Sequence, residues 1–220
     1  MVQLTEVLLR GEMSGALSAS QTLAHEIMGS NYFGVEKAIK HFGVIPSRHQ
    51  FAVFNEVPFS ENMLTACRST HILTAVFPNS IVGLWRRFSR QNMFYSQDYS
   101  DQSFANHSGK AGWQLVCKTP VAGSMSKTWR EQQDLLAYDE ETPTAQVMVY
   151  TMIGYFLATG ERLFEGSWVR CWDRDSDGCH VDTGHFDLEG IQVYGWNNDL
   201  CHSQLGMASV KKKGIVQFLG

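Results

Sequence analysis

The residues between Thr142 and Gly160 constrain the fold of this chain more than any other segment. They read TPTAQVMVYTMIGYFLATG, with apolar side chains on every side of a helix. Three residues predict the ends of this helix: Thr142 as the N-cap, Pro143 in the first turn, and Gly160 after the last turn. The helix is therefore expected to end at Thr159. Because a helix that is apolar all round has no face to offer to water, we predict that this one is central and buried.

The pattern changes after this helix. From Trp168 to Gln204, small and apolar residues alternate with aromatic and polar ones, and glycines recur every few positions. Alternation with a period of two is typical of strands with one face on a core and the other exposed. Helices in the first part of the chain and irregular antiparallel strands in the last part predict an α+β fold.

The strand face that we expect to be exposed has an unusual composition, because it carries aromatic rings, imidazoles and a thiol. Large exposed aromatic patches are typical of recognition surfaces. We therefore predict a ligand-binding surface, with no catalytic residue, that consists of Trp168, Trp172, His180, Asp182, His185, Gln192, Tyr194, Trp196, Leu200, Cys201, His202 and Gln204. The three tryptophans of this set have a second interpretation as core residues, since tryptophan is usually well buried. Among the other aromatic residues, we assign to the core Trp113, Trp129, Tyr150, Tyr155 and Phe156.

Earlier segments carry ordinary helix and strand signals. These signals predict helices at residues 18–29 and 33–42, a helix from Ser60 to about Arg68, strands at 71–78 and 112–121, and a helix capped by Ser126. The segment 88–109 is polar, aromatic and rich in Ser, Asn and Gln, so we predict that it forms a long surface loop.

Length and charge bound the domain organisation and the partners. A chain of 220 residues is long enough for one domain with an N-terminal helical appendage, which we assign to residues 1–30. The segment 165–204 is acidic, and an acidic surface repels phosphate, so we do not expect nucleic acid as a partner. Since no apolar run is long enough for a membrane span and residues 1–30 lack the order of a signal peptide, we expect a soluble protein without membrane insertion. Both a cytoplasmic location and export by a route without cleavage are compatible with this pattern.

Two groups of residues imitate metal sites. Residues 173–178, DRDSDG, begin like a calcium-binding EF-hand loop, but Gly184 stands where that loop needs its last Glu. A solvated hairpin turn is the favoured alternative. A possible zinc set lacks the paired close spacings of structural zinc sites; it consists of Cys171, Cys179, His180, His185, Cys201 and His202. We therefore predict no metal and no other cofactor.

Three separated blocks occur in the order typical of one protein family: GWQLVCKTPVAGSMSKTWREQQ, ETPTAQVMVYTMIGYFLATGERLFE and LGMASVKK. With these blocks, the chain after about Asn31 resembles the variable proteins of diversity-generating retroelements, in particular the group found in uncultured archaea and small-genome bacteria. The resemblance implies a C-type lectin fold for residues 31–220, with a variable region at about 166–204. It also implies that a reverse transcriptase copies a template with adenine-directed errors, and that the copy replaces the end of the gene. The ligand of such a surface is an unknown protein or glycan.

The resemblance can be checked against the residues themselves. A template codon AAC or AAT that is mutated at its adenines can encode most residue types, but not Lys, Glu, Gln, Met or Trp. The residues of the predicted surface that fit this outcome are His180, Asp182, His185, Tyr194, Leu200, Cys201 and His202. Those that do not fit, and are either fixed or derived from other codons, are Trp168, Trp172, Gln192, Trp196 and Gln204.

An enzyme is the alternative function. Formylglycine-generating enzymes share the C-type lectin fold, and a fold alone does not determine function. An enzyme of this kind would use metal or thiol chemistry, for instance through Cys171 and Cys201. However, the sequence contains no GxSxG, HExxH or phosphate-binding glycine motif, which favours a binding protein.

Overall fold

The computed structural model describes residues 17–96 and 98–214. Its helices are α1 (Ala19–Met28), α2 (Val35–Phe42), α3 (Arg48–Phe54), α4 (Glu61–Cys67), α5 (Ile81–Phe88), α6 (Ser103–Asn106), α7 (Trp129–Gln133) and α8 (Ala145–Thr159). Its strands are β1 (Tyr32–Phe33), β2 (His71–Val76), β3 (Gly112–Cys117), β4 (Glu140–Glu141), β5 (Trp168–Arg174), β6 (His180–Asp187), β7 (Gly190–Trp196), β8 (Leu205–Met207) and β9 (Val210–Lys211). Short 3₁₀ turns follow α1 and α5, at Gly29–Asn31 and Ser89–Gln91.

The strands form two mixed sheets. The first has the order β1-β2-β3-β9-β4, and the second has the order β7-β6-β5-β8. The pairs β1–β2 and β5–β8 are parallel, and the other pairs are antiparallel. The combination of helices with these two sheets confirms the predicted α+β class.

Helix α8 packs against strands of both sheets, and residues 145–155 are all buried. The prediction of a central, buried helix that ends at Thr159 is therefore confirmed, and Gly160 follows with a left-handed φ of 79°. Its N-cap is Thr144 rather than Thr142, because the Thr144 hydroxyl accepts a hydrogen bond from the Val147 N–H. Phe156 is only partly buried at the edge of the core, whereas we predicted a core residue.

Several predicted helices and strands begin or end at other residues in the structure. The predicted helix 33–42 begins at Val35, because the preceding residues Tyr32 and Phe33 pair with β2 instead. Helix α7 begins after Thr128 rather than Ser126, since Thr128 and Glu131 form a reciprocal capping box. The strands predicted at residues 71–78 and 112–121 are present as β2 and β3, which are antiparallel neighbours.

The segment 88–109 is not only a surface loop. Phe94, Tyr99 and Phe104 are buried in the core, and Phe94 forms an isolated bridge with Ile191 of β7. Phe94 therefore connects this segment to the second sheet, whereas Tyr95 and the described polar residues of the segment are at least partly exposed.

Helix α1 shares its core with the elements that follow it. Ala24 and Met28 belong to the same buried cluster as residues of both sheets, and the Gln21 side-chain amide donates to the Phe54 carbonyl at 2.7 Å. Of the predicted appendage at residues 1–30, residues 1–16 lie outside the described part of the chain. Within the part that is described, we find no helix with the length and apolar character that a bilayer crossing requires.

Candidate ligand-binding face

The second sheet has one face on the core and one face directed away from it, as the alternation of the sequence predicts. Val169, Val181 and Val193 belong to the buried core that also contains α8. The register pairs Trp168 with Gly184 and Gly184 with Gln192, and it pairs Arg170 with Asp182 and Asp182 with Tyr194. Since paired residues of an antiparallel ladder point to the same side, these rows lie on the side opposite the valines. We call this side the outer face.

One half of the outer face is open to solvent. Trp168 is stacked on His185 with a ring-centroid distance of 4.4 Å, and Trp196 lies 5.1 Å from Trp168. The ring of His202 contacts both tryptophans edge-on, at 6.1 Å and 5.6 Å. All four rings are partly exposed. We call these four residues the aromatic cluster.

A β-bulge brings His185 into the aromatic cluster. The pairing of β6 with β7 shifts register between Gly184 and Asp187, and His185 has a left-handed φ of 45°. A side chain at Gly184 would collide with the backbone carbonyl of Ser167, so this position requires glycine. His185 Nδ1 lies 3.5 Å from Asp187 Oδ2, and the Gln192 side-chain carbonyl accepts from Trp168 Nε1 at 3.2 Å.

The other half of the outer face is covered. Arg170 is fully buried there, and its guanidinium donates four hydrogen bonds of 2.8–3.0 Å. The acceptors are the backbone carbonyls of Lys127, Asn197 and Leu200 and the side-chain carbonyl of Gln132. Arg170 therefore connects β5 to α7, to the segment before α7 and to the loop at residues 197–204, which together form the cover.

Asp182 lies beside Arg170 in the covered half and is fully buried. Among the described residues, neither of its carboxylate oxygens has a hydrogen-bond partner. Burial raises the pKa of this carboxyl to about 7, although the positive charge of Arg170 acts in the opposite direction.

His180 is also covered, with 2% of its surface exposed. Its ring is stacked on Trp129 at 3.4 Å, and Nδ1 donates to the Cys171 carbonyl at 3.2 Å. Its backbone N–H donates to the side chain of Asn198, which fixes the loop 197–204 against the turn between β5 and β6. Burial lowers the pKa of His180, and the charge of Arg174 lowers it further, so the ring is neutral at neutral pH.

The structure therefore divides the predicted surface. The expectation that His180 and Asp182 point toward solvent is wrong, because α7 and the loop 197–204 lie over them. The residues of the predicted set that are at least partly exposed are Trp168, Trp172, His185, Gln192, Tyr194, Trp196, Leu200, Cys201, His202 and Gln204.

Sequence reasoning missed the residues that build the cover. We assigned Trp129 to the core, but it is partly exposed and stacks on His180. The sequence gives almost no sign of the roles of Arg170, Gln132 and Asn198. The only signal was an arginine between Val169 and Cys171 in a strand that is otherwise apolar at this point. A buried arginine needs several acceptors, but the sequence does not show which residues supply them.

The residues that imitate metal and thiol sites serve local structure. Asp175 Oδ1 accepts from the backbone N–H groups of Asp177 and Cys179, and Asp173 Oδ2 accepts from Ala145 at the start of α8. The predicted hairpin turn between β5 and β6 is thus confirmed. In the portion of the chain that is described, no three His, Cys, Asp or Glu side chains converge on a possible metal position.

The two cysteines of the enzyme alternative have different environments. Cys171 is fully buried in the core, and burial raises the pKa of its thiol well above the usual value. Cys201 is exposed and donates weakly to the Asp199 carbonyl. The structure therefore does not present these two thiols to a common substrate.

Comparisons with known proteins give no relative. No protein-family model matches the chain, and searches of curated proteins and of solved structures give no match either.

Proposed function

We propose that this chain is a ligand-binding protein that binds a protein or glycan through the open half of the outer face. The observation that carries this proposal is the aromatic cluster, in which three partly exposed rings of the second sheet and the ring of His202 from the loop 197–204 lie in contact. Partly exposed aromatic rings provide a large contact area with little conformational entropy to lose on binding. The exposed side chains of Leu200 and Cys201 extend this surface.

We further propose that the surface is diversified by a retroelement on a C-type lectin scaffold. The resemblance of the three sequence blocks supports this, together with the exposure of most positions that an adenine-mutated codon can produce. His185, Tyr194, Leu200, Cys201 and His202 fit that codon outcome and are at least partly exposed. A change at any of these positions alters the surface and leaves the core composition unchanged.

Burial restricts the proposal to a smaller set of positions. His180 and Asp182 also fit the codon outcome, but their side chains are enclosed. Random substitution at an enclosed position leaves cavities or unpaired polar groups, which destabilises the fold. The proposal therefore includes the five exposed positions as variable and His180 and Asp182 as constant.

The direct experiment is to sequence this gene and its flanking DNA from many cells of the source population. We expect a reverse-transcriptase gene, a near-identical template repeat, and substitutions at adenine-matched codons of the five exposed positions. Absence of a template repeat, or substitutions spread evenly over the gene, would contradict diversification.

A library experiment tests the binding surface independently of the genome. Both libraries use a codon with any base at the first two positions and C or T at the third, which is the outcome of adenine mutation in AAC or AAT. The first library randomises His185, Tyr194, Leu200, Cys201 and His202. The matched library randomises Val169, Val181, Val193, Ile191 and Phe186. We expect folded members and selectable binders in the first library only, because the second library disrupts the core. If the first library is mostly unfolded, or yields no binder to any of a panel of protein and glycan targets, the proposed surface is wrong.

We also propose that this chain is a binding protein rather than an enzyme. Cys171 is enclosed by the core, and Cys201 forms part of the exposed loop. Neither thiol has an adjacent base among the hydrogen bonds of the described residues. These surroundings favour contact recognition over covalent chemistry.

A further inference from the structure

Trp172 is the most exposed tryptophan that the structure describes on the outer face, with 61% of its surface accessible. It lies between two clefts and lines both of them. The first cleft, of about 380 Å³, is also lined by Trp129, Asp173, Arg174 and His180. The second, of about 610 Å³, continues on the other side of Trp172 toward Tyr138 and Lys212. Trp172 is the residue that the two linings share, and we call the two clefts with Trp172 between them the Trp172 groove.

The first cleft has aromatic walls and a polar group at its base. The rings of Trp129 and Trp172 are 6.4 Å apart and inclined by 53°. His180 lies beneath them, held by its stacking on Trp129 and by its bond to the Cys171 carbonyl. Since Nδ1 carries the proton in that bond, Nε2 is a hydrogen-bond acceptor. It has no partner among the described residues, although a buried acceptor is normally satisfied.

The groove carries no dominant charge. The first cleft has one acidic and one basic residue, Asp173 and Arg174. In the second cleft, Glu140 shares the ammonium of Lys211 with Asp139, at 3.2 Å and 3.1 Å, and Glu141 and Lys212 also line the cleft, so the local excess of negative charge is one. A polyanion would meet a carboxylate in each cleft, and a polycation would meet a basic group in each. Charge balance of this kind suits an uncharged ligand that has hydroxyl groups at its rim and an apolar face.

We propose that the Trp172 groove is a second binding site, separate from the aromatic cluster, for an uncharged oligosaccharide. One sugar ring stacks its C–H face on Trp172, and one of its hydroxyl groups donates a hydrogen bond to His180 Nε2. Neighbouring sugar units extend along the second cleft. Trp129 lies before the predicted variable region, and Trp172 cannot arise from an adenine-mutated AAC or AAT codon, so neither belongs to the five positions that we propose as variable.

The test is a titration of the full chain with cellohexaose, xylohexaose, mannohexaose and chitohexaose, followed by calorimetry and tryptophan fluorescence. We expect at least one of them to bind with a dissociation constant in roughly the micromolar to millimolar range. Trp172→Ala should weaken that binding by about tenfold or more, because it removes the ring on which the sugar stacks; tenfold corresponds to about 1.4 kcal/mol.

Matched variants separate this site from the other one. Trp196→Ala removes a tryptophan from the aromatic cluster. It should change the dissociation constant of the oligosaccharide by about twofold or less, which is much smaller than the tenfold change expected for Trp172→Ala. His180→Phe retains a ring against Trp129 but lacks Nε2, so it should weaken binding while the melting temperature confirms a folded protein. Trp172→Ala is expected to melt like the parent because the side chain is mostly exposed.

Three results would overturn the proposal. The first is that none of the four oligosaccharides binds, and the second is that Trp172→Ala binds as tightly as the parent. The third is that Trp196→Ala loses as much affinity as Trp172→Ala, which would transfer the binding to the aromatic cluster. None of these results bears on the retroelement hypothesis, because the flanking-DNA and library experiments test different positions.

Discussion

Trp168 and Arg170 are two residues apart on the same side of β5, and their side chains have opposite surroundings. Trp168 is partly exposed in the aromatic cluster, whereas Arg170 is enclosed and makes four hydrogen bonds. The alternation of the strand is identical for both residues, so it determines only the side to which each side chain points. The surroundings are determined by what else packs there, in this case α7 and the loop 197–204. The two halves of the outer face should therefore respond differently to substitution.

The largest effect is expected at Arg170. Arg170→Ala removes the donor of four hydrogen bonds and leaves their acceptors beneath the cover without a partner. We expect the free energy of unfolding to fall by about 3–5 kcal/mol, measured by urea denaturation. Arg174→Ala is the matched control for stability, since Arg174 lines the first cleft but is exposed and makes one hydrogen bond in the turn. Equal unfolding midpoints for the two variants would show that Arg170 does not hold the cover.

The next effect is at Asp182 and depends on pH. Its pKa is about 7 in the folded protein against 3.8 as the ordinary value, so the folded state retains a proton that the unfolded state loses. Wild-type stability is therefore reduced progressively as pH rises from about 4 to 7, and the reduction is complete above pH 7. Asp182→Asn cannot ionise, and it should be more stable than wild type by about 4 kcal/mol at pH 8.

The difference between Asp182→Asn and wild type should vanish near pH 4. Thermal melts of both proteins across this range isolate Asp182, because every other charged group, including the neighbouring Arg170 and Asp175, is present in both proteins. A difference that is independent of pH would mean that Asp182 is ionised throughout and that the covered half is more hydrated than its burial indicates.

A smaller effect is expected at His180. His180→Ala removes the ring that is stacked on Trp129 and also the bond to the Cys171 carbonyl. We expect a loss of about 1–3 kcal/mol, because a buried stacked ring and one hydrogen bond each contribute roughly 1 kcal/mol. Its matched control is His202→Ala in the open half, where the same residue type is partly exposed and should lose about 0.5 kcal/mol or less.

The smallest effect is expected for the exposed positions of β7 and of the loop 197–204. Substitution of Tyr194, Cys201 and His202 by Ser should change the free energy of unfolding by about 0.5 kcal/mol or less at each position. A triple variant measured by urea denaturation tests this directly. If the triple variant loses as much stability as Arg170→Ala, the distinction between an open and a covered half is incorrect.

Much of the fold could be predicted from local patterns. The uniform apolar surface of residues 145–155 allows only a buried position, and α8 has that position. The alternation after Trp168 predicts the two faces of the second sheet, because a period of two is a local property of strands. The sequence predicts Thr142 as the N-cap, two residues before the observed Thr144, because TPT offers two threonines and only the backbone geometry selects between them.

The part of the candidate site that could not be predicted depends on contacts between distant segments. Gln132 and Lys127 lie 38 and 43 residues before Arg170 in the sequence. Nothing in the sequence near His180 indicates that Trp129 will lie on its ring. Burial of a polar residue on an expected outer face is therefore a tertiary property, and here it requires α7 to fold back over the sheet.

The hydrogen bonds of Arg170 have a further consequence for how the chain tolerates inherited change. Three of its four acceptors are main-chain carbonyls, and two of these belong to the loop 197–204. The same loop is also held by main-chain contacts from Ser126 to His202 and from Trp129 to Asn198. Every amino acid supplies the same carbonyl, so these anchors remain when the side chains of the loop are exchanged. The backbone conformation of the loop therefore depends little on its own side chains. Inherited substitutions at its exposed positions can accumulate while that conformation is retained.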